Sequence, residues 1–185
     1  MTQLGTAAPD FSLKDVVIGK TYSLASFSSK KVLLVMFICR HCPYVEHIKG
    51  ELTCLDKDFR QRDIAIAAIS SNDAESYPDD APEKLKEFAL AQSWHFPFLY
   101  DQTQNVAKVY QAACTPDFFL YDKNRKLVYR GQLDDSRPEN GKPLTGNDLR
   151  SAMNAVLDDK PVTSAQKPSI GCNIKWKKGN EPAYF

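Results

Sequence analysis

Cysteines with two residues between them, Cys39-Arg40-His41-Cys42, are the part of this sequence best suited to chemistry. That spacing lets one sulfur attack a disulfide and the other attack the resulting mixed disulfide, with no further covalent partner required. The attacking species is a thiolate, and the start of a helix favours it through unpaired amide protons and the positive end of the helix dipole. Arg40 is permanently cationic and His41 can become so, which makes both candidate thiolate-tuning groups. Pro43 follows at a position suited to the first helical residue. On this reading Cys39, the first and normally more exposed of such a pair, attacks, and Cys42 resolves.

Thr115-Pro116 is a second candidate element. A proline entering a strand from the loop Gln111-Ala112-Ala113-Cys114 suits a cis bond, which would turn the Thr115 backbone outward to pair with an extended substrate. An ordinary trans proline is the alternative. Cys114 beside it is a candidate additional redox residue or a small packed one, and Cys172 could form a second disulfide, resolve a sulfenic acid or simply pack. Cys54, between Leu52 and Leu55, reads as a small buried hydrophobe. Zinc would need a second ligand pair that the spacing does not supply beside Cys39, His41 and Cys42, so no metal is expected, and no other cofactor is implied. Asp134, Asp135 and Glu139 read as a solvated acidic loop, His47 as a surface or packed residue, and His95 as part of a core aromatic run.

The elements that must position these residues alternate between strand and helix. Residues 32–38 are apolar throughout, as in a central strand covered on both faces, and they run straight into Cys39. Beyond Pro43, Val45, Ile48, Leu52, Leu55 and Phe59 lay one apolar stripe along a helix, and residues 64–69 form the next buried strand. The cysteine pair therefore sits between strand and helix within a βαβ unit. A helix from Pro82, a strand over 96–100, a short helix over 104–110 and a hairpin turning at 122–125 follow. A last helix, with Thr145 as its cap, carries Leu149, Ala152, Met153, Val156 and Leu157. Before all of these, residues 11–13 and 21–24 form a peripheral hairpin. The resulting class is α/β, with a mixed central sheet flanked by helices.

Composition sets the outer bounds. The chain has 185 residues, 43% of them apolar, and 24 Lys and Arg against 23 Asp and Glu, the ordinary proportions of one globular domain. A net charge of +1 offers no field for nucleic acid or for an anionic membrane surface. The longest apolar run, 32–39, falls well below the roughly 20 residues that span a bilayer, and residues 1–15 have no secretory pattern, so the cytoplasm is the expected location. Five cysteines argue against a disulfide-stapled scaffold. We expect a domain over 1–159 and a tail over 160–185 lying against it, because Ile170, Cys172, Ile174, Trp176 and Phe185 are too apolar for a free tail.

Together these residues resemble the thioredoxin superfamily and, within it, the peroxiredoxin-like alkyl hydroperoxide reductase and thiol-specific antioxidant proteins. Ala8-Pro9-Asp10-Phe11-Ser12-Leu13, Gly19-Lys20 and Tyr22-Ser23-Leu24 are similar to the N-terminal extension of those proteins. Cys39-Arg40-His41-Cys42-Pro43-Tyr44-Val45, Cys114-Thr115-Pro116-Asp117-Phe118, the stretch 130–138 and Ile170-Gly171-Cys172-Asn173-Ile174-Lys175-Trp176 resemble bacterial redoxin-domain proteins. The resemblance spans about residues 4–158 and implies a thioredoxin fold with an N-terminal hairpin extension. It also implies a redox activity, but with departures. Placing Cys42-Pro43 on the peroxidatic pattern puts Val35 and Cys39 where such enzymes carry proline and threonine, and Thr115 stands near their later arginine. Arg130 and Arg137 remain as arginines that could approach from elsewhere. Thioredoxins also bury a proton-relay carboxylate that the apolar stretch 32–38 does not contain.

The expected function is therefore thiol-disulfide oxidoreduction through Cys39 and Cys42, with a thiol or disulfide substrate and an unidentified electron donor as partners. A thiol peroxidase using Cys42 or Cys39, and a non-catalytic redox sensor or binding module, are the alternatives. The sequence leaves monomer and homodimer equally open.

Overall fold

The computed structural model describes residues 2–184, so Phe185 lies outside the described residues. The first half comprises β1 (Ser12–Asp15), β2 (Thr21–Ser23), β3 (Val32–Phe37), α1 (Pro43–Phe59), β4 (Ile64–Ser70) and α2 (Pro82–Ala91). The second comprises β5 (Phe98–Tyr100), α3 (Asn105–Tyr110), β6 (Cys114–Thr115), β7 (Asp117–Tyr121), β8 (Leu127–Gly131), α4 (Asn147–Leu157) and β9 (Cys172–Asn173).

Seven strands form one mixed sheet in the order β2-β1-β5-β4-β3-β7-β8. β3 pairs in parallel with β4 through the α1 crossover, and β4 pairs in parallel with β5. β7 runs antiparallel to β3, and β8 antiparallel to β7. β3 is central, and all six of its residues are buried. Because side chains alternate across a strand, Val32, Leu34 and Met36 point to one face while Leu33, Val35 and Phe37 point to the other. The first face packs against the predicted stripes of α1 and α4 and against Leu85, Phe88 and Ala89 of α2. The second packs against Val106, Ala107 and Tyr110 of α3 and against Ile174 and Trp176 of the C-terminal segment. The uniformly apolar run thus becomes a strand with a core on both sides.

Three expectations need correction. The N-terminal hairpin is not peripheral, since β1 pairs antiparallel with β5 and extends the central sheet; Asp15, 3% exposed, fixes that junction by accepting from the Phe98 amide at 2.8 Å. Strand β5 begins at Phe98, because Trp94 and Phe96 pack in the core ahead of it while His95 faces solvent and pairs with Asp56 at 3.0 Å. Helix α4 is preceded by Gly146 at φ +65°, a conformation glycine adopts without penalty, and Thr145 bonds back to Asp134.

Asp134 was read as part of a solvated loop, yet it is 3% exposed and accepts from the amides of Ser136, Thr145 and Gly146, so it organises the turn into α4. Cys54, expected to be buried, is exposed on α1, one position off the apolar stripe. Among the described residues, no helix is long and apolar enough to cross a membrane.

Candidate active site

β3 ends at Phe37, and the chain passes through Ile38 into Cys39-Arg40-His41-Cys42 before α1 begins. Cys42 is the N-cap of α1, in extended conformation (φ −75°, ψ 122°), and Pro43 occupies the first turn, where its fixed φ suits a helix and its missing N–H loses no bond. No side-chain capping bond forms, so the helix favours a Cys42 thiolate through its dipole field and not through a direct amide contact.

A carboxylate absent from the sequence reading holds this loop. Asp80 ends a short 3₁₀ turn, Pro78–Asp80, before α2, and it is fully buried. It accepts from the Arg40 amide at 2.7 Å, the His41 amide at 3.2 Å and Asn72 Nδ2 at 2.7 Å. His41 Nδ1 lies 2.5 Å from its second oxygen, and the imidazole stacks on Tyr77 with centroids 5.3 Å apart. With Nδ1 donating to the carboxylate, Nε2 is left to accept a proton. Arg40 pairs with Asp79 at 3.2 Å.

The two sulfurs converge on Thr115. Cys39 Sγ lies 3.2 Å from Thr115 Oγ1, and the Cys42 thiol is 3.1 Å from the Thr115 carbonyl. Thr115-Pro116 is a cis bond, the one of the two readings left open by the sequence that turns the Thr115 backbone outward. The two neighbouring thiols are shifted in opposite directions. Hydrogen bonds from Cys39, Thr115 and Cys172 lower the Cys42 thiol to about 4 against the opposing effect of burial. Cys39 is pushed up from its ordinary value by its bond to Cys42, by burial and by the nearby Asp80 charge. Arg40 and His41 were expected to tune the thiolate directly; their side chains instead engage Asp79 and Asp80, and neighbouring thiols and Thr115 stabilise Cys42.

Exposure also departs from expectation. Cys39 was taken as the open member, yet Cys39 and Cys42 are 1% and 0% exposed. Their cover is the C-terminal segment. β9 pairs antiparallel with β6, with Thr115 opposite Cys172 and Cys114 opposite Asn173, so the edge read as a substrate-docking site is filled by the chain itself. The Cys114 thiol sits 3.5 Å from the Pro116 carbonyl and is raised to about 12 by burial and then by Asp117, which makes it a packed residue with little thiolate character.

Cys39 Sγ, a His41 nitrogen and an Asp80 oxygen lie within 4.8 Å of one another, a sulfur, nitrogen and oxygen set of the kind zinc accepts. The sequence reading of no metal rested on missing ligands, and Asp80 supplies one of them from a distant turn. Its oxygens are already engaged by Arg40, His41 and Asn72, however, so an ion would have to displace the bonds that shape the loop.

Residues 4–130 match the model of the AhpC/TSA family. The chain belongs to that family. The structure is also similar to that of a hypothetical protein from Sinorhizobium meliloti, with 49% identity, 97% of each chain covered and a TM-score of 0.95. An uncharacterised conserved protein from Geobacillus kaustophilus is 51% identical over 96% of this chain and 94% of that one, with a TM-score of 0.93. The thioredoxin domain of a thiol-disulfide oxidoreductase from Bacteroides vulgatus shares 19% identity over 84% of this chain and 99% of its own, with a TM-score of 0.65, and shows the common fold. A comparison with curated proteins gives no significant match.

Within the AhpC/TSA family, the arginines of this chain have particular partners. Arg130 pairs with Asp117 at 3.1 Å, donates to the Gln111 carbonyl at 2.7 Å and stacks over Phe119. Arg137 donates to the carbonyls of Asp134 and Ser136 and to the Gln132 side chain. These bonds engage both guanidinium groups with carboxylate, carbonyl and amide partners.

Sequence reasoning missed Asp80 because Asp79 and Asp80 look like ordinary loop acids. The available signal was the proline before them, which suits a tight turn, together with an apolar strand that offers Cys39 no carboxylate of its own.

Proposed function

We propose that this protein is a thiol-disulfide oxidoreductase in which Cys42 carries the thiolate and Cys39 the resolving thiol. The observation that carries the reading is that both sulfurs meet Thr115, at 3.2 Å for Cys39 and 3.1 Å for Cys42, with Cys42 at the N-cap of α1 and its thiol the one that is lowered. This reverses the roles expected from the sequence. Cys42 thiolate attacks one sulfur of a substrate disulfide, the substrate S–S bond breaks, and one substrate thiolate leaves. The charge on Cys42 is thereby consumed, which removes the largest influence holding the proton on Cys39. That proton passes to water or to His41 Nε2, the Cys39 thiolate attacks Cys42, and the second substrate thiol departs. Asp80 holds the loop and fixes the imidazole.

Membership of the AhpC/TSA family supports a second reading, a thiol peroxidase with Cys42 as the peroxidatic residue. Peroxide cleavage calls for donors that stabilise the leaving oxygen, and the arginine partners described above weigh against it. Rapid mixing of reduced protein with hydrogen peroxide, and in parallel with a small disulfide, separates the two. Fast disulfide exchange with slow peroxide oxidation supports the oxidoreductase, and fast stoichiometric peroxide oxidation overturns it.

A further inference from the structure

The occupant of the docking edge begins with a cysteine, Cys172, set near Cys42. β9 lies on β6 as an added strand, the way an extended peptide binds a sheet edge, and its register sets Cys172 opposite Thr115. The Cys42 thiol contacts the carbonyl of that same Thr115. Cys172 packs against the cluster that contains Cys39 and Cys42, and its proximity is one of the influences that lower the Cys42 thiol. The approach is closest at Gly171, where a Cβ would come within 2.0 Å of the Thr115 carbonyl oxygen. Only glycine lets the strand lie this near. The segment is anchored beyond Cys172 as well, since the Ile174 amide donates to the Ala113 carbonyl at 3.2 Å, the Lys175 amide to Asn72 at 2.9 Å, and the Asp73 amide to the Lys175 carbonyl at 2.8 Å.

We infer that the C-terminal strand is an internal substrate, and that Cys172 exchanges with Cys42 to form a Cys42–Cys172 disulfide that locks the docking edge against other substrates. The inference rests on the proposed disulfide chemistry. The Cys172 thiol is raised to about 11 by burial and then by Cys42, and the second influence is gone once Cys42 is in a disulfide. Starting from an oxidised Cys39–Cys42 pair, Cys172 gives its proton to water, its thiolate attacks the Cys42 sulfur, the Cys39–Cys42 bond breaks, and Cys39 leaves as a thiolate and takes up a proton from water. No electrons enter or leave in this step. When Cys42 instead carries a mixed disulfide with an external substrate, Cys172 attacks the same sulfur and expels the substrate thiolate, completing the substrate's reduction. Reduction of the Cys42–Cys172 bond by an external thiol frees the strand again.

The test uses the full chain treated with hydroxyethyl disulfide, quenched in acid and digested with trypsin without reduction. Cleavage after Arg40 separates Cys39 from Cys42, and Cys54, Cys114 and Cys172 each fall on a further peptide of their own, so every pairing gives a distinct mass. The proposal expects a Cys42–Cys172 peptide in the wild type and its accumulation as the main oxidised product of Cys39→Ser. Gly171→Val is expected to lose that cross-link while keeping the Cys39–Cys42 one, which separates displacement of the strand from failure to fold. A Cys39→Ser protein that holds only the mixed disulfide at Cys42 overturns the inference and leaves the proposed function standing. A wild type in which no Cys39–Cys42 disulfide forms or exchanges overturns that function instead.

Discussion

The chemistry of this protein turns on which sulfur holds the negative charge. Both cysteines are buried, so neither gains from solvent, and the decision falls to hydrogen bonds and to the sign of the nearest charge. Cys42 is lowered chiefly by its neighbour Cys39, whereas Cys39 is raised by Cys42, by burial and by the Asp80 carboxylate. Cys39→Ser is therefore expected to retain attack on a small disulfide and to accumulate disulfide-bonded Cys42, as read by mass spectrometry; Cys42→Ser is expected to lose the attack, and the opposite pattern restores the original role assignment. The charge also has a pH signature. A thiol at about 4 when folded, against an ordinary 9.0, makes stability rise with pH across that interval, because only the unfolded chain still holds the proton there. Urea unfolding of the reduced protein between about pH 5 and 8 should show that rise, and Cys42→Ser should flatten it. Asp80→Ala strands the Arg40 and His41 amides without their acceptor, with an expected loss of about 1–3 kcal/mol in the same assay.

At the scale of elements, the site exists because β3 delivers the chain to the sheet's end and α1 turns back from it. The apolar stripe on α1 fixes the rotation of the helix about its axis, which decides where its N-cap sulfur sits. Leu52 is fully buried at the middle of that stripe, so Leu52→Ala is expected to lower stability by about 2–5 kcal/mol in chemical denaturation. β3, α1, β4 and the C-terminal hairpin were legible in the sequence because their apolar spacing matches the periods of strand and helix. The junction of β1 with β5 was not, since short strands carry too few alternations to reveal which neighbour they pair with. Thr145 misled because a threonine ahead of an apolar stripe is a good cap by type, while the buried Asp134 claims its hydroxyl and leaves Gly146 to turn the chain.

Across the whole molecule, the C-terminal segment does two things at once. Ile174 and Trp176 complete the second core face, and the strand ahead of them closes the reactive edge. Removing the chain from residue 170 onward is accordingly expected to speed alkylation of Cys42 by iodoacetamide while lowering the unfolding midpoint. Alkylation no faster than in the full chain would show that the segment does not control access. The same arrangement lays a two-residue strand along Thr115, against which both cysteines rest.

By itself, the sequence determined the α/β class, the strand-to-helix setting of Cys39 and Cys42, and the candidacy of Thr115-Pro116, because each depends on residue type and short-range spacing. Only the tertiary structure decided that Asp80 holds the loop, that both sulfurs are buried against Thr115, and that Cys172 lies across the edge. Those outcomes arise largely from contacts between residues far apart in the chain, such as His41 with Asp80, 39 positions on, and Cys39 with Thr115, 76 positions on, and the energy of a charge or a hydrogen bond depends on distance in space, which local sequence patterns do not encode.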